Sequence, residues 1–195
     1  MKELVFLLEE ASAKAMLESL LPRILHPDIR YRCIPFEGKQ DLERQMGRRM
    51  RAYLNPLSRF IVLRDQDSAP DCKDVKARLV ERCQQAGQAG KTLVRIACRE
   101  LESFYLADLN AVEQALGVKN LSRLQGSAKF RCPDPLGSPS KELEALTAGR
   151  YQKVSGSKLI GQFLAPDNER SSSFKNLIKG IRRMERELLA LPDIE

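Results

Sequence analysis

The sequence predicts an α/β fold: a mainly parallel four-stranded sheet with helices on both faces, followed by a mostly helical, basic C-terminal part. Three observations carry this. The apolar runs at residues 4–8 and 60–63 show no polar alternation, as expected of strands covered on both faces. Segments of helical repeat separate the strand-like runs with short connections, so strand and helix alternate four times before Asp108. Positive charge is confined to one part: from Lys119 to Arg186 fourteen Lys and Arg stand against six Asp and Glu, and elsewhere nineteen stand against twenty.

Leu4 to Leu8 is the first strand. Ser12 can cap the helix that follows, in which Ala15, Met16, Leu20 and Leu21 repeat at helical spacing until Pro22 kinks or ends it. Arg30 to Phe36 alternates in part and reads as the second strand, closed by Gly38. Lys39 to Leu54 reads as a helix with Leu42, Met46, Met50, Tyr53 and Leu54 on one face and Arg44, Arg48 and Arg51 on the other, a solvated basic face. Phe60 to Leu63 is the third strand and runs into Asp65-Gln66-Asp67. Asp71 or Cys72 opens a helix with Val75, Leu79 and Cys83 inward, ended near Gly87 and Gly90. Thr92 to Cys98 is the fourth strand. Beyond it Ala111 to Leu116 reads as helix, Ser127 to Ser140 as loop, Leu159 to Phe163 as a short helix and Ser173 to Leu191 as a longer amphipathic one. This divides the chain into an α/β core, 1–108, and a helical extension, 109–195, packed on it.

Composition bounds the class. A chain of 195 residues, 43% hydrophobic and 30% charged, can bury a continuous core without staples. No run of about eighteen apolar residues predicts a spanning helix, and Met1 to Leu8 reads as a strand rather than a signal peptide. Five widely spaced cysteines without a C-x-x-C pair read as reduced, mostly buried thiols of a cytoplasmic protein. The one histidine, His26, gives no support for a zinc site or a serine-hydrolase triad. The basic C-terminal part favours a polyanionic partner, nucleic acid first.

In open parallel sheets, ligands sit beyond the carboxyl ends of the strands, where strand order reverses. Glu9, Asp65 and Asp67, and the pair Glu100 and Glu102, each follow a predicted strand, so three strand ends are expected to bring acids to one rim. On an extended backbone Asp65 and Asp67 point the same way. Carboxylates aimed at one point repel one another and favour a hard dication, magnesium or manganese. Such an ion polarises a phosphoryl oxygen, with Glu9 as a further ligand or a general base.

Leu7-Leu8-Glu9 before a helix, and Val62-Leu63-Arg64-Asp65-Gln66-Asp67, resemble the Toprim pattern of a glutamate after the first strand and a D-x-D after the third. More closely, the chain resembles the bacterial Toprim-like domain-of-unknown-function family 4276, related to OLD-type Toprim nucleases and often encoded beside an ABC-type AAA ATPase. The matching stretches are Glu9 to Leu21, Val62 to Cys72, Val94 to Asp108 and Asn168 to Phe174. The resemblance implies that Glu9 acts as acid or base, that Asp65 and Asp67 hold magnesium, that a partner ATPase exists, and that the protein serves in defence against phage. The glycine usual after the first glutamate is Glu10 here, and an acid common a few positions later is Ala13.

OLD-type nucleases use a lysine beside the metals, a part Lys158 can take; its alternative is a helix-start lysine. Lys153, Lys158, Arg170 and Lys175 are the expected nucleic-acid contacts. Of the tyrosines, Tyr53 and Tyr105 read as core. Two functions follow: a metal-dependent nuclease or nickase on DNA or RNA, or a non-catalytic module that binds a partner ATPase, nucleic acid, or both. A nucleotidyl-transferring primase is weaker, because no zinc ribbon is present. The sequence leaves homo-oligomer formation open.

Overall fold

The computed structural model describes residues 1–192. Four parallel strands, β1 (Glu3–Leu8), β2 (Arg30–Pro35), β3 (Ser58–Asp65) and β4 (Thr92–Ala97), form one sheet in the order β2-β1-β3-β4. The order reverses between β1 and β3, where Leu8 stands opposite Leu63. Glu9 follows Leu8 directly and Asp65, two residues after Leu63, ends β3, so both lie at the topological switch point.

The unbroken apolar run of β1 is explained by its two coverings. Leu4, Phe6 and Leu8 pack into a core shared with α1 (Ala11–Ile24) and the C-terminal helices; Val5 and Leu7 pack into a second core under α2 (Lys39–Arg51) and α3 (Cys72–Gln85). The first core also takes in α4 (Glu102–Leu106), α5 (Leu109–Leu116), α6 (Pro139–Leu146), α7 (Lys153–Gly161) and α8 (Ser172–Leu189). Helix α8 runs antiparallel to the strands. Cys98 N donates to Ser173 Oγ (3.2 Å) at the carboxyl edge, and Lys2 Nζ donates to Leu189 O (3.2 Å) at the amino edge.

Several boundaries differ from the sequence reading. Helix α1 starts at Ala11 with Glu10 as its cap residue, so Ser12 lies inside the helix, buried, and donates to Glu10 Oε1 (2.8 Å). Helix α2 stops at Arg51, and Leu54, expected on its apolar face, is 91% exposed. Helix α7 begins six residues before Leu159, because Gly156 and Gly161 interrupt the apolar repeat yet serve packing. A Cβ at Gly161 would lie 2.5 Å from Met16 O of α1, and one at Gly156 2.6 Å from the Tyr151 ring. Helix α6 takes in Pro139 and Ser140, read as the end of a loop; proline suits a first helical turn. All five cysteines are free, but only Cys83 is buried and Cys132 is exposed. No helix among the described residues is long and apolar enough to cross a membrane.

Candidate functional site

The site is built at the carboxyl ends of β1 and β3. Glu9 leaves β1 as its chain turns into α1, and Glu9 Oε2 accepts from Asp65 N (3.0 Å), which ties the two strand ends together. Glu10 has φ −153° and ψ 170°. That is ordinary extended backbone, so the turn admits its side chain without strain. Its carboxylate is held by Ser12 and by Lys153 Nζ at 2.8 Å.

Asp65 keeps part of its surface accessible, yet protein encloses its carboxyl. Burial pushes it well above the ordinary carboxylate range, and repulsion from Glu9, Glu102 and Glu10 adds to the rise. Glu9 is raised too, by burial first; the Asp65 N–H lowers it, Asp67 raises it, and the buried Arg64, 3.8 Å away, lowers it. Glu102 is fully buried in α4, raised by burial and held by the Tyr151 hydroxyl, which donates to its Oε1 (2.8 Å). At Lys153 burial opposes the charge, but the bond to Glu10 and the fields of Glu10, Glu102 and Asp65 outweigh it, so the ammonium is held.

Asp67 departs from the expected extended geometry. Its φ is +55°, so strand alternation ends before it, and its carboxylate pairs with Lys39 (3.0 Å). Arg99, also at positive φ (60°), stands beside it: Asp67 N donates to Arg99 O (2.7 Å). Glu100 accepts from Ser140 N (2.7 Å) in the first turn of α6 and so acts as a helix cap. Lys158 faces a groove against α1 with Lys14 and Glu18, whereas Lys153 is the lysine brought to the acids. Arg170 is exposed, near Arg131 and Glu169, and Lys175 pairs with Glu169 (2.6 Å).

The sequence does not assign three further residues to the acidic site. Tyr105, read as core, is fully buried, and its hydroxyl has no hydrogen-bond partner of normal geometry among the described residues; burial raises it most, the nearby Ser157 hydroxyl lowers it, and Glu102, Asp65 and Glu10 raise it further. Its placement three residues after Glu102, on one face of a short helix, was the available signal. Tyr151 and Ser157 complete the wall, their hydroxyl oxygens 3.2 Å apart, and nothing in the local sequence marks them. An orphaned buried hydroxyl costs about 1–3 kcal/mol. In metal-free protein Tyr105→Phe should therefore leave thermal stability unchanged or raise it. Tyr151→Phe, which frees a buried carboxylate, should lower it by about 1.5–3 kcal/mol. Unfolding in chelator checks both.

The donor set suits a hard dication in part. Among the described residues no three acids, histidines or cysteines converge to enclose an ion. Magnesium commonly takes one or two carboxylates and fills its remaining positions with water and phosphate oxygens. Glu9 and Asp65, adjacent, all-oxygen and short of neutralising charge, meet that need.

The family described as "Domain of unknown function (DUF4276)" matches residues 8–182. Among solved structures, the C-terminal region of the Burkholderia pseudomallei OLD protein is similar, with a TM-score of 0.52 and 15% identity over 94% of this chain and 98% of that one. At that identity the likeness shows a shared fold. No curated protein matches the chain.

Proposed function

The chain belongs to the DUF4276 family, and from that premise we propose that the acids at the ends of β1 and β3 are the centre of a metal-dependent phosphodiester hydrolase, a nuclease or nickase whose substrate is nucleic acid, DNA ahead of RNA. The observation that carries this reading is the under-neutralised carboxyl cluster at the switch point: Glu9, Asp65 and Glu102 are all raised, and the unbonded Tyr105 hydroxyl lies within their field. Acids kept in such mutual repulsion cost stability, and a site that binds a dication recovers it.

Glu9 and Asp65 would hold magnesium or manganese, and Asp67 would join them once Lys39 turns away. The ion, when bound, supplies positive charge to a phosphoryl oxygen. The remaining work falls to the chain. Glu9, raised above the ordinary carboxylate range by burial, would hold or take a proton at its carboxyl oxygen. Arg64, which reaches both Glu9 and Glu43, fixes that carboxyl. Lys153 takes the position at the acids that the sequence reading gave to Lys158, and its ammonium faces a phosphate as readily as Glu10. Glu102 positions the wall through Tyr151 and does not need to touch the ion. Family resemblance adds a partner ATPase of the AAA/ABC type and a role in phage defence, and the five free thiols fit a cytoplasmic setting.

A second reading is favoured by two ion pairs, Lys39–Asp67 and Lys153–Glu10, which neutralise acids that an active centre would leave open. On that reading the module binds nucleic acid or the ATPase without turnover. The test is cleavage of supercoiled plasmid, single-stranded DNA and tRNA with magnesium or manganese, with and without the neighbouring ATPase. Cleavage by wild type that vanishes in a folded Asp65→Ala variant supports the nuclease. No cleavage in any arm, or equal traces from both proteins, leaves the binding module.

A further inference from the structure

Strand β4 forms one edge of the sheet, and beside it lies a cavity of about 440 Å³ between α3 and α8. Lys73, Lys76, Arg95, Ser172, Ser173 and Asn176 supply its polar lining; among the described residues no carboxylate lines it directly, the nearest bonded one being Asp134, which accepts from Ser173 N (3.0 Å). We propose that this groove is a phosphate-binding cleft that grips the backbone of a nucleic-acid strand, separate from the acidic centre at β1 and β3. It rests on the nucleic-acid reading above, but on its binding half alone.

Arg95 is the anchor. Its guanidinium is half-buried against α8, with Nε donating to Asn176 O (2.9 Å) and Nη1 to Val94 O (3.0 Å), and it has no carboxylate partner among the described residues. Gly180 permits this seat, since a Cβ there would lie 2.8 Å from Arg95 Nε. Burial disfavours the charge, and Arg183 nearby disfavours it further. A cation desolvated next to another cation, with donor capacity left over, is a site short of an anion. Lys73 and Lys76 stand one turn apart on α3 across the groove and make no ion pair among the described residues. Both α3 and α8 begin here, but Asp71 accepts from Lys73 N (2.7 Å) and Asp134 from Ser173 N (3.0 Å), so the helix ends are already capped and the three side chains carry the unpaired charge.

The shape of the positive surface selects a strand over a lone phosphate ion. From the cleft, Asn176, Lys179, Arg183 and Arg186 continue down the outer face of α8 at spacings of three and four residues. They span about 15 Å at a rise of 1.5 Å per residue. Each strand of a duplex carries one phosphate per ~3.4 Å of duplex axis, so a stripe of this length meets more than one phosphate. Lys179 and Arg186 have no ion-pair partner among the described residues, and Arg183 shares Glu187 with Arg59. Ala97 of β4 pairs in register with Asp65 of β3, so the cleft at the β4 edge lies one strand away from the acidic centre.

The test is fluorescence anisotropy of labelled single-stranded DNA, duplex DNA and RNA in EDTA. The proteins are wild type, Lys73→Glu/Lys76→Glu, Arg95→Gln and a control, Arg48→Glu/Arg49→Glu, on exposed positions of α2. Lys73→Glu/Lys76→Glu should raise the Kd at least about tenfold and flatten its salt dependence, with a slope smaller by roughly one for each phosphate no longer neutralised. Arg95→Gln should weaken binding in the same direction. The α2 control should change the Kd less than about threefold. The cleft is overturned if wild type does not bind in EDTA, or if Lys73→Glu/Lys76→Glu binds no more weakly than the α2 control. Inorganic phosphate competing as well as an oligonucleotide of equal phosphate content would overturn the assignment to a strand. Binding that follows these expectations without cleavage in any arm would leave the cleft standing and remove the nuclease.

Discussion

Asp65→Asn should raise the melting temperature of the metal-free protein at neutral pH and cut nucleic-acid cleavage at least about 100-fold, the upper end of losses seen when residues merely supporting metal ligands are changed. Both effects have one cause. Asp65, Glu9 and Glu102 are held above their ordinary range, by burial first and then, for Asp65, by one another's charge. A carboxyl whose folded pKa is raised binds its proton more tightly in the folded chain. Its contribution is therefore complete below the ordinary carboxylate range of about 4 and is lost as pH rises through the raised value. Asp41, Glu113 and Glu169 shift the other way through hydrogen bonds from Gln45, Ser122 and Lys175, and they weaken the fold only as pH falls below that range. The decline above about pH 5 thus belongs to the cluster. Asparagine cannot ionise, so the variant should decline less steeply. In a chain of this size each kcal/mol recovered lifts the midpoint by about 2–4 °C. Magnesium should raise the wild-type midpoint by mass action and leave the variant nearly unmoved. Melting in chelator across pH 4–8 checks this; a variant that melts lower than wild type at neutral pH would refute the account.

Gly161→Ala should destabilise the protein by about 1–3 kcal/mol, although alanine is normally the better helix residue by about 1 kcal/mol. The new methyl would lie 2.5 Å from Met16 O and 3.0 Å from Ser19 Cβ, and a backbone carbonyl inside α1 cannot swing away. Relief requires α7 to back off from α1, which draws Lys153 from Glu10, so cleavage should fall along with stability. Gly47→Ala is the matched contrast. Its Cβ would meet nothing nearer than 3.6 Å, so it should be neutral or stabilising by up to about 1 kcal/mol. Denaturant midpoints of the two variants separate a packing constraint from helix propensity.

The sheet and the acidic rim were legible in the sequence for a local reason. Strands covered on both faces need uninterrupted apolar residues, and Leu4–Leu8 and Phe60–Leu63 have them. A loop leaving the carboxyl edge starts where such a run stops, so Glu9 and Asp65 could be located by counting. Boundaries failed where side-chain pattern was a poor guide to packing. Helix α7 was shortened because glycines that allow close approach look like breaks. Helix α4 escaped notice because it is buried on all sides and shows no periodicity.

By itself, then, the sequence determined the α/β class, the parallel sheet, and which acids leave its strands, because all three are written in short-range apolar runs and their ends. Only the tertiary structure decided which charges meet. It turned Asp67 to Lys39, set Glu100 to cap α6, enclosed Glu102 under Tyr151, and chose Lys153 over Lys158 to face the acids. Those pairings join residues far apart in the chain, through backbone turns and helix crossings. An ion pair depends on separation in space, which residue spacing along the chain does not encode.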